Sequence, residues 1–195
     1  AICNVSSTSV SDTSAGSGAQ TVTISGIGSD YSTVTETVSL NGNTNVPTVN
    51  TYWHINRAFV ASAGSGGTQV GTITIISAAA GTPTLGTLAI GANQTQSTIY
   101  MVPLGYTAYI TFINVATQSS NINGTCDIAM YAKPFGGVFR VQSDFLFREG
   151  STTSYTRDFR GFLSYAEKSI IKFRCVAASH ATDVAIDYDI FLVAT

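Results

Sequence analysis

Two stretches near the C-terminus, SIIKFRCVA at residues 169–177 and VAIDYDIFLV at residues 184–193, decide the fold because apolar and polar residues alternate along both. Successive side chains of a β-strand point to opposite sides of a sheet, whereas helical side chains repeat about every 3.6 residues. Alternation is therefore typical of a strand with one side against a hydrophobic core and the other in water. Both stretches predict strands of an antiparallel sheet that is covered on one face.

Opposite charges lie on the outward sides of these two stretches. Lys172 and Arg174 project outward from the first, and Asp187 and Asp189 from the second. If the two strands are neighbours, each cross-strand pair of opposite charges would contribute about 0.2 to 1 kcal/mol. We therefore predict cross-strand pairing between these cations and anions.

The same pattern extends outward through most of the chain. In GVFRVQSDFLF, the apolar residues expected on one side are Phe139, Val141, Phe145 and Phe147. From residue 21 onward, about a dozen short runs rich in Val, Ile, Thr, Tyr and Phe alternate with Gly, Asn and Pro, and no long amphipathic helix is indicated. We predict an all-β fold, an antiparallel β-sandwich of jelly-roll type with extra strands.

The chain is expected to divide into an arm and one domain. Residues 1–19 are rich in Ser, Thr and Gly with little periodicity, which predicts an extended, flexible arm that orders only in an assembly. Residues 20–195 are assigned to the sandwich, with a sub-boundary near 133–137 left open. Such an arm suits a subunit that threads onto its neighbours.

Charge separates the first two thirds of the chain from the rest. Only 10% of residues are charged, and of nine Lys and Arg residues only Arg57 precedes Lys133. A protein with so few charges keeps much weakly polar surface, which is typical of a subunit covered by others. A net charge of −2 and a pI near 5.5 provide no positive field for nucleic acid, and no apolar run reaches the roughly 20 residues of a membrane span. We expect neither nucleic acid nor membrane as a partner.

Side chains that could support catalysis or bind metals are few and scattered. His54 and His180 are far apart, and no Cys-x-x-Cys, His-x-x-x-His, nucleophile-elbow or phosphate-loop motif occurs. We expect no enzymatic activity, metal or cofactor. Alternation places Cys126 and Cys175 on core-facing sides, which favours buried thiols, with a bridge between them left open for an oxidising setting.

One pair of opposite charges falls on apolar faces. Glu36 shares a side with apolar residues in TVTETVSLNG, and Arg57 does so in YWHINRAFV. A lone buried charge would cost several kcal/mol, so we predict a structural ion pair between Glu36 and Arg57.

The segment FREGSTTSYTRDFRGFLSYAEKS at residues 147–169 combines cations with aromatic residues, a composition that favours interfaces. Its candidate interface residues are Arg148, Tyr155, Arg157, Phe159, Arg160, Phe162 and Tyr165. The alternative is an ordinary β-hairpin and loop whose cations lie along the surface.

Five blocks of the chain resemble a known group of proteins. They are SDYSTVTETVSLNGNTNV, WHINRAFVASAGSGGTQVGTITI, GANQTQSTIYMVPLGYTAYIT, GGVFRVQSDFLFREG and EKSIIKFRCVAASHATDVAIDYDIFLV. In order and spacing they resemble uncharacterised structural proteins of tailed phages, especially marine and other environmental phages, over most of residues 20–195. The resemblance implies a virion protein and transfers no catalytic residue.

These observations predict a virion structural protein of a tailed phage, a decoration or minor capsid subunit at the capsid surface. Its partners would be copies of itself and other virion proteins, and its location the virion, assembled in the host cytoplasm. Two alternatives stay open: a tail or fibre module that binds a receptor or host surface glycan, and an extracellular filament subunit assembled by strand addition.

Overall fold

The computed structural model describes residues 1–119, 125–148 and 153–195, except the side chains of Ser119, Arg148, Thr153, Asp158, Phe159 and Arg160. Within these residues every regular element is a β-strand and no helix occurs. All strand pairs described in the sheets are antiparallel. The prediction of an all-β, antiparallel fold is confirmed.

The chain forms two compact units, Ala1–Ser97 and Thr98–Thr195. The strands of the first unit are β1 (Ile2–Ser7), β2 (Ala19–Ile27), β3 (Thr33–Ser39), β4 (Val46–Thr51), β5 (His54–Ala63), β6 (Ile73–Ser77) and β7 (Thr84–Leu88). Those of the second are β8 (Ile99–Met101), β9 (Tyr106–Ser119), β10 (Thr125–Lys133), β11 (Arg140–Arg148), β12 (Thr153–Tyr165), β13 (Ile170–Ala178) and β14 (Thr182–Ala194).

In the first unit a four-stranded sheet of order β4-β1-β6-β7 and a three-stranded sheet of order β3-β2-β5 share one core. Val5 and Ile75 of the larger sheet and Ile24 and Ala58 of the smaller sheet are fully buried in it. Their polar neighbours alternate toward solvent, as the period of two requires. The unit is a two-layer sandwich built from the inner faces of both sheets.

Residues 1–19 differ from the predicted arm. Strand β1 is paired on both edges, with β4 on one side and β6 on the other, and Cys3 and Val5 have no exposed surface. The physical reason is the alternation of Cys3 and Val5 with polar residues, which gives β1 a buried face despite its Ser-rich surroundings. This segment completes the first core.

In the second unit a sheet of order β11-β10-β13-β8 faces a sheet of order β12-β9-β14 across a second core. The rings of Phe173 and Tyr188, one from each sheet, lie 5.1 Å apart between centroids. Residues 20–195 thus do not form the single predicted domain: the chain divides between Ser97 and Thr98, and not near 133–137, where the sequence left a sub-boundary open. Residues 133–137 contain the tight turn between neighbouring strands β10 and β11, closed by a 2.9 Å hydrogen bond from the Gly137 amide to the Pro134 carbonyl.

A β-bulge in β11 changes which side chains face the second core. Met130 pairs with Ser143 and Tyr131 with Val141, so Gln142 is an extra residue in β11. Each bulge inverts the alternation that follows it. Phe145 and Phe147 are buried as predicted, but Phe139 and Val141 lie on the outer face, so the prediction that all four share one side is wrong.

Strands β2 and β5 approach each other closely at Gly26. A Cβ at this position would collide with the carbonyl oxygen of His54 and would also press against the ring of Tyr52. Glycine is therefore needed at this position because the neighbouring strand leaves no room for a side chain, and not because the backbone adopts an unusual conformation.

Candidate functional site

The predicted interface residues lie at the end of β11 and along β12, an edge strand of the three-stranded sheet. The side chains of Arg148, Phe159 and Arg160 lie outside the described residues. The other four side chains are placed differently from one another, so these four do not form one continuous surface.

Tyr155 and Arg157 point toward the four-stranded sheet. They pair with Val115 and Ile113 of β9, both buried in the core, and so share the inner side of the sheet. The Tyr155 ring meets the ring of Phe145 edge-on at 5.7 Å. The Arg157 guanidinium donates a hydrogen bond to the hydroxyl of Ser143 in β11. These two residues connect the rims of the two sheets.

Tyr165 and Phe162 have opposite environments. Tyr165 packs against the second core, its hydroxyl has no hydrogen-bond partner among the described residues, and burial raises its pKa to about 12. Phe162 is 66% exposed and meets the Tyr109 ring at 5.7 Å on the outer side. Only Phe162 of these four is thus a large apolar side chain that projects outward.

The outer face of the β12-β9-β14 sheet is acidic and apolar; we call it the acidic face. Asp183, Asp187 and Asp189 of β14 pair with outward residues of β9 and are exposed. Phe191 and Val193 continue the same outward row and are more than half exposed. Among the described side chains that share this side, none is a Lys or Arg.

The outer face of the β11-β10-β13-β8 sheet carries cations over aromatic rings; we call it the basic-aromatic face. The Lys172 ammonium lies 3.8 Å from the centroid of Phe139 and 5.6 Å from that of Tyr131. The Arg174 guanidinium lies 6.0 Å from Tyr131, and the Lys133 ammonium 5.9 Å from Phe139. Such contacts contribute about 0.5 to 1 kcal/mol each at exposed sites and hold the cations near the surface.

The two charged faces belong to different sheets, so the predicted cross-strand pairing is wrong. Lys172 and Arg174 lie in β13 and Asp187 and Asp189 in β14, and these strands are not neighbours. The hydrophobic core lies between the sheets, and the charges project away from it on opposite sides. Among the described residues, a salt bridge instead joins two chain neighbours, with the Lys168 ammonium 3.7 Å from the Glu167 carboxylate.

The predicted ion pair between Glu36 and Arg57 is also wrong. Glu36 lies opposite Ile24 and Arg57 opposite Ser25, which are successive residues of β2 and therefore point to opposite sides. The Arg57 guanidinium instead donates a 3.0 Å hydrogen bond to Gln94.

A β-bulge in β5 is the physical reason. Ser25 pairs with Arg57 and Gly26 with Ile55, which makes Asn56 an extra residue. Ile55 and Ala58 then face the core although three positions apart, and Arg57 turns to solvent. The carboxylate of Glu36 accepts hydrogen bonds from the amides of Val49 at 2.7 Å and Asn50 at 2.9 Å, and so joins β3 to β4.

Sequence reasoning missed Asp12. Among the charged residues that the structure describes, it accepts the most hydrogen bonds from backbone amides. Its carboxylate has no exposed surface. One oxygen accepts from the Ser7 hydroxyl at 2.6 Å and the Gly71 amide at 2.8 Å, and the other from the amides of Ala19 at 2.8 Å and Val70 at 2.9 Å. An Asp within a Ser-rich loop of a chain with few charges could have indicated this role, because Asp side chains often accept hydrogen bonds from the backbone amides of such loops.

The potential for binding small ligands is limited in the described residues. A groove of about 230 Å³ in the first unit is lined by residues 84–87 of β7 and residues 95–97, together with Ile55, and none of its lining side chains is titratable. No group of three or more His, Cys, Asp or Glu in the described part of the chain could hold a metal ion. No helix long and apolar enough to cross a membrane is found in those residues either.

No protein-family model, curated protein or solved structure matches the chain. The two charged faces of the second unit are therefore the features from which a function is argued.

Proposed function

We propose that this chain is a structural subunit of a tailed-phage particle, at the capsid surface, where copies associate through the faces of the second unit. The observation that carries the proposal is that the second unit has an acidic face on one side of its core and a basic-aromatic face on the other. Both faces also expose large apolar side chains, Phe191 on the first and Val141 on the second. The resemblance of the sequence blocks to phage structural proteins supports the virion assignment, and jelly-roll connectivity remains part of the proposal.

The partner of each face is a second copy of the chain. On the basic-aromatic face the three cations Lys133, Lys172 and Arg174 outnumber the two carboxylates of Asp127 and Asp144, so the acidic face of one copy complements this excess of positive charge on the next. Each face also supplies aromatic contacts of the kind that dominate interfaces. A stable contact needs about 800 Å² from each partner. Because the two surfaces are different, the contact is head to tail and produces a closed ring or an open stack.

Light scattering on a sizing column, at several protein concentrations and two ionic strengths, tests this association. We expect oligomers whose fraction rises with concentration and falls with salt, since salt screens charges that are partly exposed. Reversing Asp187 and Asp189 to Lys should abolish them, and reversing Lys172 and Arg174 to Glu should do the same. Mixing the two variants should restore oligomers in which they alternate, because each face of one variant is then opposite in charge to the face of the other that it contacts. Combining both reversals in one chain should restore self-association for the same reason.

A matched control is the Asp30→Lys variant, which makes one of the same charge reversals in an exposed loop of the first unit. It should associate like the wild type. A wild-type chain that stays monomeric at high concentration and low salt would contradict association through these faces. For the virion assignment, mass spectrometry of purified particles from a phage that encodes this chain should detect it, and its absence would refute that part.

A second function, binding of a host glycan, is favoured by one observation. Trp53 is 61% exposed, and its ring lies 6.4 Å from the Tyr31 ring, so an exposed aromatic side chain of the kind that stacks on sugars lies beside a second aromatic ring. Glycan-array binding that Trp53→Ala abolishes would support it. The filament alternative relied on a free arm, and the pairing of β1 on both edges removes that observation.

A further inference from the structure

Two cysteine side chains of the second unit lie in contact. Cys126 in β10 and Cys175 in β13 belong to neighbouring antiparallel strands, and their Sγ atoms are 3.8 Å apart. They are 49 positions apart in the sequence, so the sheet brings them together. Neither is part of a disulfide in this structure.

A β-bulge creates this contact. Asp127 pairs with Ala177 and Ile128 with Cys175, so Val176 is an extra residue in β13. The bulge places Cys175 opposite Ile128, on the side of the sheet that Cys126 also faces. With regular pairing, Cys175 would fall opposite Ala129 and would point to the other side.

The two thiols differ in access to solvent. Cys126 has no exposed surface, whereas Cys175 is exposed. The prediction that both are buried is therefore wrong for Cys175. An exposed thiol can meet an oxidant from solution, and a buried thiol in contact with it can complete the exchange.

We propose that Cys126 and Cys175 are a site of oxidative modification, at which a disulfide cross-links β10 to β13. A disulfide bond is about 2.05 Å long, so the sulfurs must move together by roughly 1.7 Å, which side-chain rotation and a small shift of the bulged backbone provide. This inference goes beyond the proposed function and does not depend on it.

With oxidised glutathione as the oxidant, the reaction has two steps. The Cys175 thiolate attacks one sulfur of glutathione disulfide, forms a mixed disulfide and releases one glutathione thiolate. The Cys126 thiolate then attacks the Cys175 sulfur, breaks the mixed disulfide and releases the second glutathione. The two protein thiols lose two protons and two electrons, and glutathione disulfide accepts both to become two molecules of glutathione.

Cys3 provides an internal control. It is buried in the core of the first unit, and burial raises its pKa, which lowers the fraction of reactive thiolate. The structure records no cysteine partner for it among the described residues. Cys3 should therefore remain a thiol under conditions that oxidise the other two cysteines.

The experiment treats the folded chain with oxidised glutathione, blocks remaining thiols with iodoacetamide after denaturation, and maps tryptic peptides without reduction. We expect one blocked thiol, at Cys3, and a cross-link between peptides 58–140 and 175–195. The Cys126→Ser variant should instead retain glutathione on Cys175, because the second thiol is missing. The Cys175→Ser variant, changed at an exposed position that folding tolerates, should leave Cys126 reduced, and Cys3→Ser should not alter the cross-link.

Two results would overturn the proposal. One is a wild-type chain without the cross-link: either all three thiols survive the treatment, or glutathione stays on Cys175 of the wild type just as it does in the Cys126→Ser variant. The other is a cross-link that involves the Cys3 peptide, residues 1–57. As a second measurement, oxidation should raise the thermal midpoint of the wild type by roughly 10 °C and leave that of Cys175→Ser unchanged; a fall or no change in the wild type would show that the bond does not fit the folded sheet.

Discussion

Replacing Asp12 with Asn should destabilise the first unit more than any other single change of a charged residue described here. The carboxylate accepts four hydrogen bonds, two at each oxygen, from donors at 2.6 to 2.9 Å. Asn has nearly the same shape but one acceptor oxygen. Whichever way the amide is turned, two of the four hydrogen bonds are lost. They are either those from the amides of Ala19 and Val70, or that from the Gly71 amide together with that from the Ser7 hydroxyl, which would have to turn and accept from the NH₂ group.

The expected magnitude follows from those two lost bonds. A hydrogen bond to a charged group contributes about 1.5 to 3 kcal/mol, and a buried donor without a partner carries a further desolvation penalty. We expect the Asp12→Asn variant to lose about 3 to 5 kcal/mol of unfolding free energy. With a typical urea dependence of about 1 to 3 kcal/mol per molar, the urea midpoint should fall by roughly 2 M.

The pH dependence of stability provides an independent signature. Burial alone would raise the pKa of Asp12, but the hydrogen bonds from Ser7, Val70, Gly71 and Ala19 together hold it below the ordinary value of 3.8. A group whose folded-state pKa is lowered contributes stability that is fully present above its unfolded-state pKa. This contribution is lost as the pH falls from about 3.8 toward the folded-state pKa. Asp12→Asn should remove that part of the acid sensitivity.

Trp53 is a convenient reporter, since it is the only tryptophan in the sequence and lies in the first unit. Its fluorescence should be followed in urea at pH 7 and at several pH values below 5. Asp30→Asn is the matched control, because Asp30 is exposed and its hydrogen bonds to described residues are those with Ser32 in its own turn, so the urea midpoint should not move. A midpoint for Asp12→Asn equal to that of the wild type, with an unchanged acid profile, would refute the reasoning.

Three further predictions concern other positions. Glu36→Ala should lower the free energy of unfolding at pH 7 by about 1 to 2 kcal/mol, because two backbone hydrogen bonds are lost. In a double-mutant cycle followed by urea unfolding, its coupling to Arg57→Ala should be below about 0.5 kcal/mol, and a larger coupling would show that the two charges interact after all. Gly26→Ala should destabilise by more than about 2 kcal/mol because its Cβ collides with the neighbouring strand, while Gly161→Ala, which has open space, should leave the unfolding midpoint unchanged. Met130→Ala should lower the free energy of unfolding by about 2 to 5 kcal/mol, because it opens a cavity in the second core. Unfolding is followed by the far-ultraviolet circular dichroism signal, and a loss below about 1 kcal/mol would contradict tight packing there.

The existence of most strands could be predicted from the sequence. The alternation in residues 184–193 marks Ile186, Tyr188 and Ile190 as inward residues, and all three pack against the second core. Strand β1 lies in the segment predicted to be an arm, and β4 is difficult to recognise. Strand β4 contains Pro47, which is tolerated because β4 is an edge strand, but a proline within so short a run hides the strand signal.

The candidate surfaces were less predictable than the strands. The outward direction of Lys172 and of Asp187 followed correctly from alternation, yet their pairing did not, because the sequence does not reveal which strands become neighbours. Arg157 was expected at an interface with another molecule, but it bonds to Ser143 across the rims of its own two sheets. The wider set of interface residues remains a prediction.

What the sequence by itself determined is local: the period of two, the turns rich in Gly and Asn, and a chain so poor in charge that its surfaces must be weakly polar. What only the tertiary structure decided is the partnership of strands and the position of each bulge. Extra residues at Asn56, Gln142 and Val176 invert the alternation, expose Arg57 and Val141, and bring Cys175 against Cys126. A bulge depends on how two distant strands fit each other around a core, so no pattern within one strand contains it.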